Sequence, residues 1–340
     1  MRYNTFMKIV YVRPYAGEEI IVRQTLQAHE VLFVRSLEEI AQNDASTLEL
    51  LSVFVDTIID EEALVRFSNL KYIATRSAGF DHIAIAEAHT RGIVVSRVPH
   101  YGSQTVAEYA FALMFALSRN ASKAALALRS ATSPLSLEAY EGFDLGGKTL
   151  GVVGTGLIGQ KVCAIGKSFG MNVIAFDLFQ NDDIKAMGIP YVSLETLLQT
   201  SDVVTLHVPG RPETRHMINK DTLSLMKQNA YLINTSRGEV IDTEALLRSL
   251  QEGRIKGAGL DVLEYEHELA RESSLTDEEK NNTSLMQTLR CNHKLMEMEN
   301  VIVTPHIAFD TKEAKTEITT ITVANIQACI AGTLQNVVTL

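Results

Sequence analysis

A chain of 340 residues exceeds the roughly 250–300 at which one hydrophobic core usually divides, so two domains are expected. With 46% hydrophobic and 21% charged residues, the composition is that of a folded globular protein and excludes intrinsic disorder. The formal net charge of -10 repels phosphate backbones and anionic bilayers, so neither nucleic acid nor a membrane is an expected partner.

From Lys8 onward, short β-branched runs at 9–12, 31–34, 53–55, 72–74 and 93–95 alternate with helical stretches, the rhythm of a parallel sheet. Residues 103–117 follow, with Thr105 and Glu108 at capping-box spacing and apolar side chains around nearly the whole helix. Such a helix must be buried, either as the connection between domains or as a subunit interface. A second series of runs at 149–153, 173–176, 203–206, 231–233, 259–263 and 301–303 predicts a second sheet. Residues 268–299 interrupt it. They are polar, contain TDEEKNN, and are too long for an unstructured loop, which rarely exceeds about 12–15 residues. An insertion with a helix at 284–298 is expected. A last helix at 311–330 follows the second sheet and is expected to pack back on the first domain.

The three cysteines, Cys163, Cys291 and Cys329, lie far apart and lack the paired spacing of a zinc or redox site. They read as reduced structural thiols, and no metal is expected. No basic segment followed by an apolar run opens the sequence, and the longest apolar run, 109–117, is far shorter than the about 20 residues of a membrane span. A cytoplasmic location is expected.

The sequence GVVGTGLIG sets Gly154, Gly156 and Gly159 between an apolar strand and a helical stretch. Glycines there permit a tight turn and close backbone approach, and the helix N-terminus attracts a pyrophosphate. Asp177 follows the next strand, where a carboxylate accepts hydrogen bonds from the adenosine ribose hydroxyls. A 2′-phosphate would meet like charge at Asp177, and Leu178, Phe179 and Gln180 supply no cation, so NAD is expected rather than NADP.

Three later strand ends carry Arg237 in INTSRGEVID, Glu266 in GLDVLEYEH and His306 in VIVTPHIAF. Ligand sites in open α/β sheets lie at such carboxyl ends. Each residue alone is unremarkable, but together they can reduce a 2-keto acid. The planar arginine cation anchors the carboxylate or leans on the developing oxyanion. Histidine titrates near neutrality and supplies the proton, while an adjacent glutamate favours the imidazolium.

The ordered segments RSAGFDHI, VPHYGSQTVAEYA, GVVGTGLIG, TLHVPGRPETRHMIN, INTSRGEVID, GAGLDVLEYE and TPHIAF span nearly the whole chain. In them the protein resembles the D-isomer-specific 2-hydroxyacid dehydrogenases, most of all their D-lactate dehydrogenase branch. The resemblance implies that Arg237 binds substrate, that His306 is the proton donor, and that Glu266 is its carboxylate partner. It implies that Ala78 and Gly79 offer backbone N–H groups to the substrate carboxylate, with Tyr101 lining the pocket. Around NAD it points to Leu157, Ile158 and Asp177, to Val208, Pro209 and Thr214, and to Thr235, Ser236 and Asp261. Arg237 and His306 also face the cofactor in this reading. His207 reads as cofactor-adjacent or structural rather than as the acid.

The fold so implied is α/β, a Rossmann NAD-binding domain at 103–308 with a flavodoxin-like parallel-sheet substrate domain formed by 1–102 and 309–340. A cleft that closes by hinge motion and a homodimer through the nucleotide domain are further implications. Two departures stand out: His267 replaces the proline common after the catalytic glutamate, and the segment before Val301 is long. Two alternatives accompany this reading. The scaffold could serve glycerate, 3-phosphoglycerate or a branched 2-hydroxy acid, although Tyr101 and the SAGF turn favour a small uncharged side chain. It could also serve an NAD(H)-sensing corepressor, against which the complete Arg, Glu and His set argues.

Overall fold

The computed structural model describes residues 6–130 and 137–339; residues 1–5 and Leu340, which fall in the first expected domain, lie outside them. The backbone divides into two compact units, one from residues 1–102 and 310–340, the other Ser103–Phe309.

The first unit holds β1 (Lys8–Val12), β2 (Glu30–Val34), β3 (Leu50–Val53), β4 (Tyr72–Thr75) and β5 (Val94–Ser96). All pair in parallel in the order β2-β1-β3-β4-β5, the flavodoxin-like arrangement. Successive side chains point to opposite faces, and both faces are covered. Val10, Val12, Leu51, Val53 and Ile73 enter one core, whereas Ile9, Tyr11, Leu50, Tyr72 and Ala74 enter the other. The helix Lys312–Ile330 seats Val323, Ile326 and Cys329 on that second face, so the C-terminal segment returns to the first sheet. The third strand lies three residues before the expected 53–55, because Phe54 already belongs to a turn in which its carbonyl accepts from Thr57 N at 3.0 Å.

This unit also buries an ion pair. Arg76 Nη1 donates to Glu18 Oε2 at 2.7 Å, with side chains 0% and 1% exposed. Glu18 further accepts from Tyr11 Oη at 2.8 Å, Tyr15 N at 2.8 Å and Thr319 Oγ1 at 3.2 Å. The guanidinium also donates to the carbonyls of Val12 and Arg13. Removing one partner of such a pair strands the other charge out of water, at a cost of about 3–5 kcal/mol. Glu18→Ala should therefore move the urea unfolding midpoint sharply downward, and an unchanged midpoint would contradict the assigned role of the pair.

The second unit holds β6 (Thr149–Val153), β7 (Asn172–Phe176), β8 (Val203–Leu206), β9 (Tyr231–Asn234), β10 (Gly257–Leu260) and β11 (Val301–Val303). They form one parallel sheet in the order β11-β10-β9-β8-β6-β7, with Tyr191 adding a single parallel bridge to Ala175 outside β7. The chain thus winds outward from β6 in both directions, the doubly wound Rossmann pattern, and its order reverses between β6 and β8. β10 begins two residues before the expected 259–263, on the glycine-rich GAGL. Small residues are required there, since a Cβ on Gly257 would meet Asn300 O at 2.4 Å.

The helix Ser103–Ser118 buries Ala107, Ala110, Phe111, Leu113, Met114 and Leu117 within this second unit, but Phe115 remains exposed. It starts before the expected capping box: Thr105 sits inside the first turn, and Gly102, with φ +66°, turns the chain into the helix. The insertion is helical at Thr283–Glu297, where Leu285 and Leu289 form a small core with Leu275 and Leu295 joins the main core of the unit.

Candidate active site

At the carboxyl end of β6 the glycines meet three different demands. Gly154 has φ +93°, and a Cβ there would lie 2.6 Å from His207 O, so only glycine allows this turn to close against the end of β8. A Cβ on Gly159 would lie 2.0 Å from Gly154 O, which sets how closely the helix Leu157–Ser168 follows the turn. Gly156 has open space around its Cβ position and precedes a helix whose N-terminus has no side-chain cap. That is a cradle for a pyrophosphate, with main-chain N–H groups facing an unobstructed approach. Asp177, at the end of β7, braces the turn: Oδ2 accepts from Thr155 N at 2.6 Å and Thr155 Oγ1 at 3.0 Å, and Oδ1 accepts from Phe179 N at 2.9 Å. A carboxylate offers about four acceptor positions, so these bonds leave room for a ribose hydroxyl.

His207 closes the opposite side of the switch point. Its Nε2 pairs with Thr205 Oγ1 at 2.9 Å, while Nδ1 is buried without a hydrogen-bond partner. Burial pushes its pKa down to about 3, so it stays neutral near pH 7 and is unsuited to donate a proton. Beyond it, Thr214 Oγ1 donates to Pro209 O at 2.6 Å and accepts from Arg211 N at 3.0 Å, fixing the turn that presents Val208 and Pro209.

At the end of β9, buried Asn234 organises the arginine turn. Its Oδ1 accepts from Ser236 N at 3.0 Å and Ser236 Oγ at 2.7 Å, and its Nδ2 donates to Arg237 O at 2.9 Å. Beside this turn Thr235 Oγ1 is likewise buried and unpartnered among the described residues, and a bound polar molecule could satisfy it. The cradle and the two orphaned atoms fit a dinucleotide.

The turns that follow β10 and β11 bring Glu266 and His306 together. Asp261, 1% exposed, accepts from Thr304 Oγ1 at 2.6 Å, Ile307 N at 3.0 Å and Ala308 N at 2.8 Å, fastening the turn that carries His306. His306 adopts φ +52° and Tyr265 φ +55°, left-handed conformations uncommon for such residues. Both turns aim their side chains at each other: His306 Nδ1 and Glu266 Oε1 lie 2.6 Å apart, each side chain about three-quarters covered. Burial alone would raise the Glu266 carboxyl, but the His306 hydrogen bond and charge, aided by His267, hold it below its ordinary value. The residue in the usual proline position therefore reinforces the carboxylate.

Arg237 lies one strand away. The residue after it, Gly238, packs so tightly on the Leu263–Glu264 backbone that a Cβ would fall 2.1 Å from Leu263 O, fixing the arginine turn against the glutamate turn. In the other unit, the Ala78 and Gly79 carbonyls accept from Arg97 Nη1 at 3.2 Å and Ser77 Oγ at 2.6 Å, which fixes the short turn carrying both amides. Sequence reasoning missed Asn234, Thr155 and the Glu264–His216 contact described below. Their segments stood in plain view, but their partners are set by tertiary packing.

The profile of the D-isomer specific 2-hydroxyacid dehydrogenase, NAD binding domain, matches residues 111–308. A 2-hydroxyacid dehydrogenase homolog of Haemophilus influenzae is 37% identical, covering 85% of each chain. A glyoxylate reductase of Thermofilum pendens is 37% identical over 87% of this chain and 82% of its own. The crystal structure of D-lactate dehydrogenase from Aquifex aeolicus, complexed with NAD and lactic acid, superposes with a TM-score of 0.83 at 36% identity, covering 95% of this chain and 96% of that one. The chain belongs to the D-isomer specific 2-hydroxyacid dehydrogenases and is an NAD-dependent oxidoreductase acting on a CH–OH group.

With Asp177 at the end of β7, NADH should bind more tightly than NADPH by at least about tenfold, the effect of roughly 1.4 kcal/mol of charge repulsion. Fluorescence titration measures this, and tighter NADPH binding would contradict the role of Asp177.

Proposed function

We propose that the protein reversibly reduces a small 2-keto acid, pyruvate first, to its D-2-hydroxy acid. Bound NADH supplies the hydride that arrives at C2. The observation that carries the reading is the His306–Glu266 contact of 2.6 Å at the strand ends that also carry Arg237. Glu266 engages Nδ1, so Nε2 is the nitrogen that gives its proton to the substrate O2 as C2 accepts hydride. In the reverse direction the same nitrogen takes the proton from the hydroxyl. Arg237 holds the keto oxygen and carboxylate by charge-assisted hydrogen bonds that strengthen as the oxyanion forms.

For the cofactor, the Gly154–Gly159 turn with Leu157 and Ile158 receives the pyrophosphate, and Asp177 the ribose. His207, Val208, Pro209 and Thr214 line one side, while Thr235, Ser236 and Asp261 line the other. A homodimer through the 103–309 unit belongs to this reading, supported by exposed Phe115, Leu126, Leu128 and Phe169, and light scattering tests it. Among the described residues no helix is long and apolar enough to cross a membrane, and all three cysteines are free and buried; a cytoplasmic location accords with both.

Glyoxylate is the second substrate to weigh, because the Thermofilum relative so named is as similar as the others. A panel of pyruvate, glyoxylate, a branched 2-keto acid and phosphohydroxypyruvate, followed by NADH oxidation, separates these. The highest kcat/KM is expected with pyruvate. A clear preference for the phosphorylated acid would overturn the small-side-chain assignment.

A further inference from the structure

Two residues before Glu266, a second glutamate turns the other way. Glu264 is 7% exposed, and every polar atom of its side chain is engaged. Oε1 lies 2.7 Å from His216 Nε2, and Oε2 accepts from Thr243 N at 3.1 Å and Thr243 Oγ1 at 2.7 Å. Its carbonyl accepts from Asn292 Nδ2 at 2.8 Å, and Asn292, on the insertion helix Thr283–Glu297, is itself fully buried. Arg215 Nη2 stands 3.8 Å from Oε1.

These contacts tie together four segments that the reaction needs in register. His216 follows the 209–214 turn, and its own backbone N donates to Glu239 O at 2.8 Å, just past Arg237. Thr243 opens the helix after the arginine turn. Gly238 rests on the Glu264 backbone, with 2.4 Å between its Cβ position and Glu264 N. Tyr265, between the two glutamates, is held at φ +55°, and this left-handed step points Glu266 at His306 while Glu264 faces inward. A non-glycine residue in that conformation costs of order 1 kcal/mol or more and persists only where its neighbours fix it.

We propose that Glu264 is a positioning residue: clamped by His216, Thr243 and Asn292, it holds the left-handed turn at Tyr265 that sets Glu266 against His306. This rests on the reading of Glu266 and His306 given above. It also gives the insertion before β11 a task, since Asn292 ties the insertion helix to this turn by a side-chain hydrogen bond.

A double-mutant cycle tests the proposal. Glu264→Ala should lower kcat for 2-keto acid reduction by about 10- to 100-fold, the scale of an ångström-sized misplacement, with KM for NADH changed little. Glu264→Gln, which keeps the acceptor facing Thr243, should recover most of that loss. In a Glu266→Gln background, Glu264→Ala should cost less than about threefold, because the group it positions is already gone. An equal loss in both backgrounds would overturn the proposal and leave Glu264 merely structural. Glu266→Gln alone at full turnover would instead overturn the assignment of Glu266, a separate outcome. If Glu264→Ala does not fold, Thr243→Val, which withdraws one hydroxyl and keeps its shape, goes through the same cycle. Its smaller loss must likewise vanish without Glu266.

Discussion

Replacing His306 by alanine is expected to lower kcat for 2-keto acid reduction by about 100- to 10,000-fold, the range for loss of a positioned general acid. NADH binding should persist, because the Gly154–Gly159 turn and Asp177 lie on other strands and have their own supports. Stopped-flow kinetics with a fluorescence titration separates the two effects, and turnover within a few-fold of wild type would remove His306 from the chemistry. The variant should also behave differently in acid. In the wild type, the lowered Glu266 pKa means that the pair stabilises the fold above the ordinary carboxylate range and loses that contribution as pH falls through the lowered value. Without His306 the two largest lowering influences vanish and burial is left to raise the carboxyl. This acid-limb contribution to stability should then disappear from a urea titration repeated across pH.

Arg237→Leu should have the second large effect, a fall in kcat/KM of about 100- to 1,000-fold, the scale for removing one donor to a developing oxyanion. Because the arginine is assigned both the ground-state carboxylate and the transition-state oxygen, KM for the keto acid should rise while kcat falls. Arg237→Lys should recover little, since a point charge cannot reproduce a planar fork. The turn itself should survive, because Asn234 builds it from Ser236 and the Arg237 carbonyl without using the guanidinium. A variant that loses only substrate affinity would confine Arg237 to anchoring.

Much of this was legible in the sequence, for physical reasons that also explain the misses. The eleven strands among the described residues showed themselves because parallel strands buried on both faces are nearly continuous apolar runs. That same continuity hid their ends: in ELLSVFVDT nothing periodic separates Leu50–Val53 from the Phe54 and Val55 that follow. The expected β10 began two residues late because Gly257 is a poor strand former, and close packing against Tyr231 is what requires it there. The helix at Thr283–Glu297 carried its own amphipathic signal. The helix at Ser103–Ser118 begins two residues before Thr105, just after the left-handed Gly102, so Thr105 lies inside the first turn and not at the start that its spacing suggested.

In the site, motif order singled out Arg237, Glu266 and His306 as candidates, but not what fixes them. By residue type alone Glu264 and Glu266 are alike in LEYEH, and the left-handed Tyr265 sends them to opposite sides. The duties of Asp261 toward Ile307 and Ala308, and of Asn292 toward Glu264, depend on tertiary neighbours separated by dozens of residues. No local pattern encodes such pairings.

Reaction of the purified enzyme with NAD and each enantiomer of lactate, followed by the appearance of NADH, tests the central claim most directly. Turnover of the D isomer, abolished by His306→Ala, is the expected result. Turnover of the L isomer alone, or D-lactate oxidation that survives loss of His306, would contradict it.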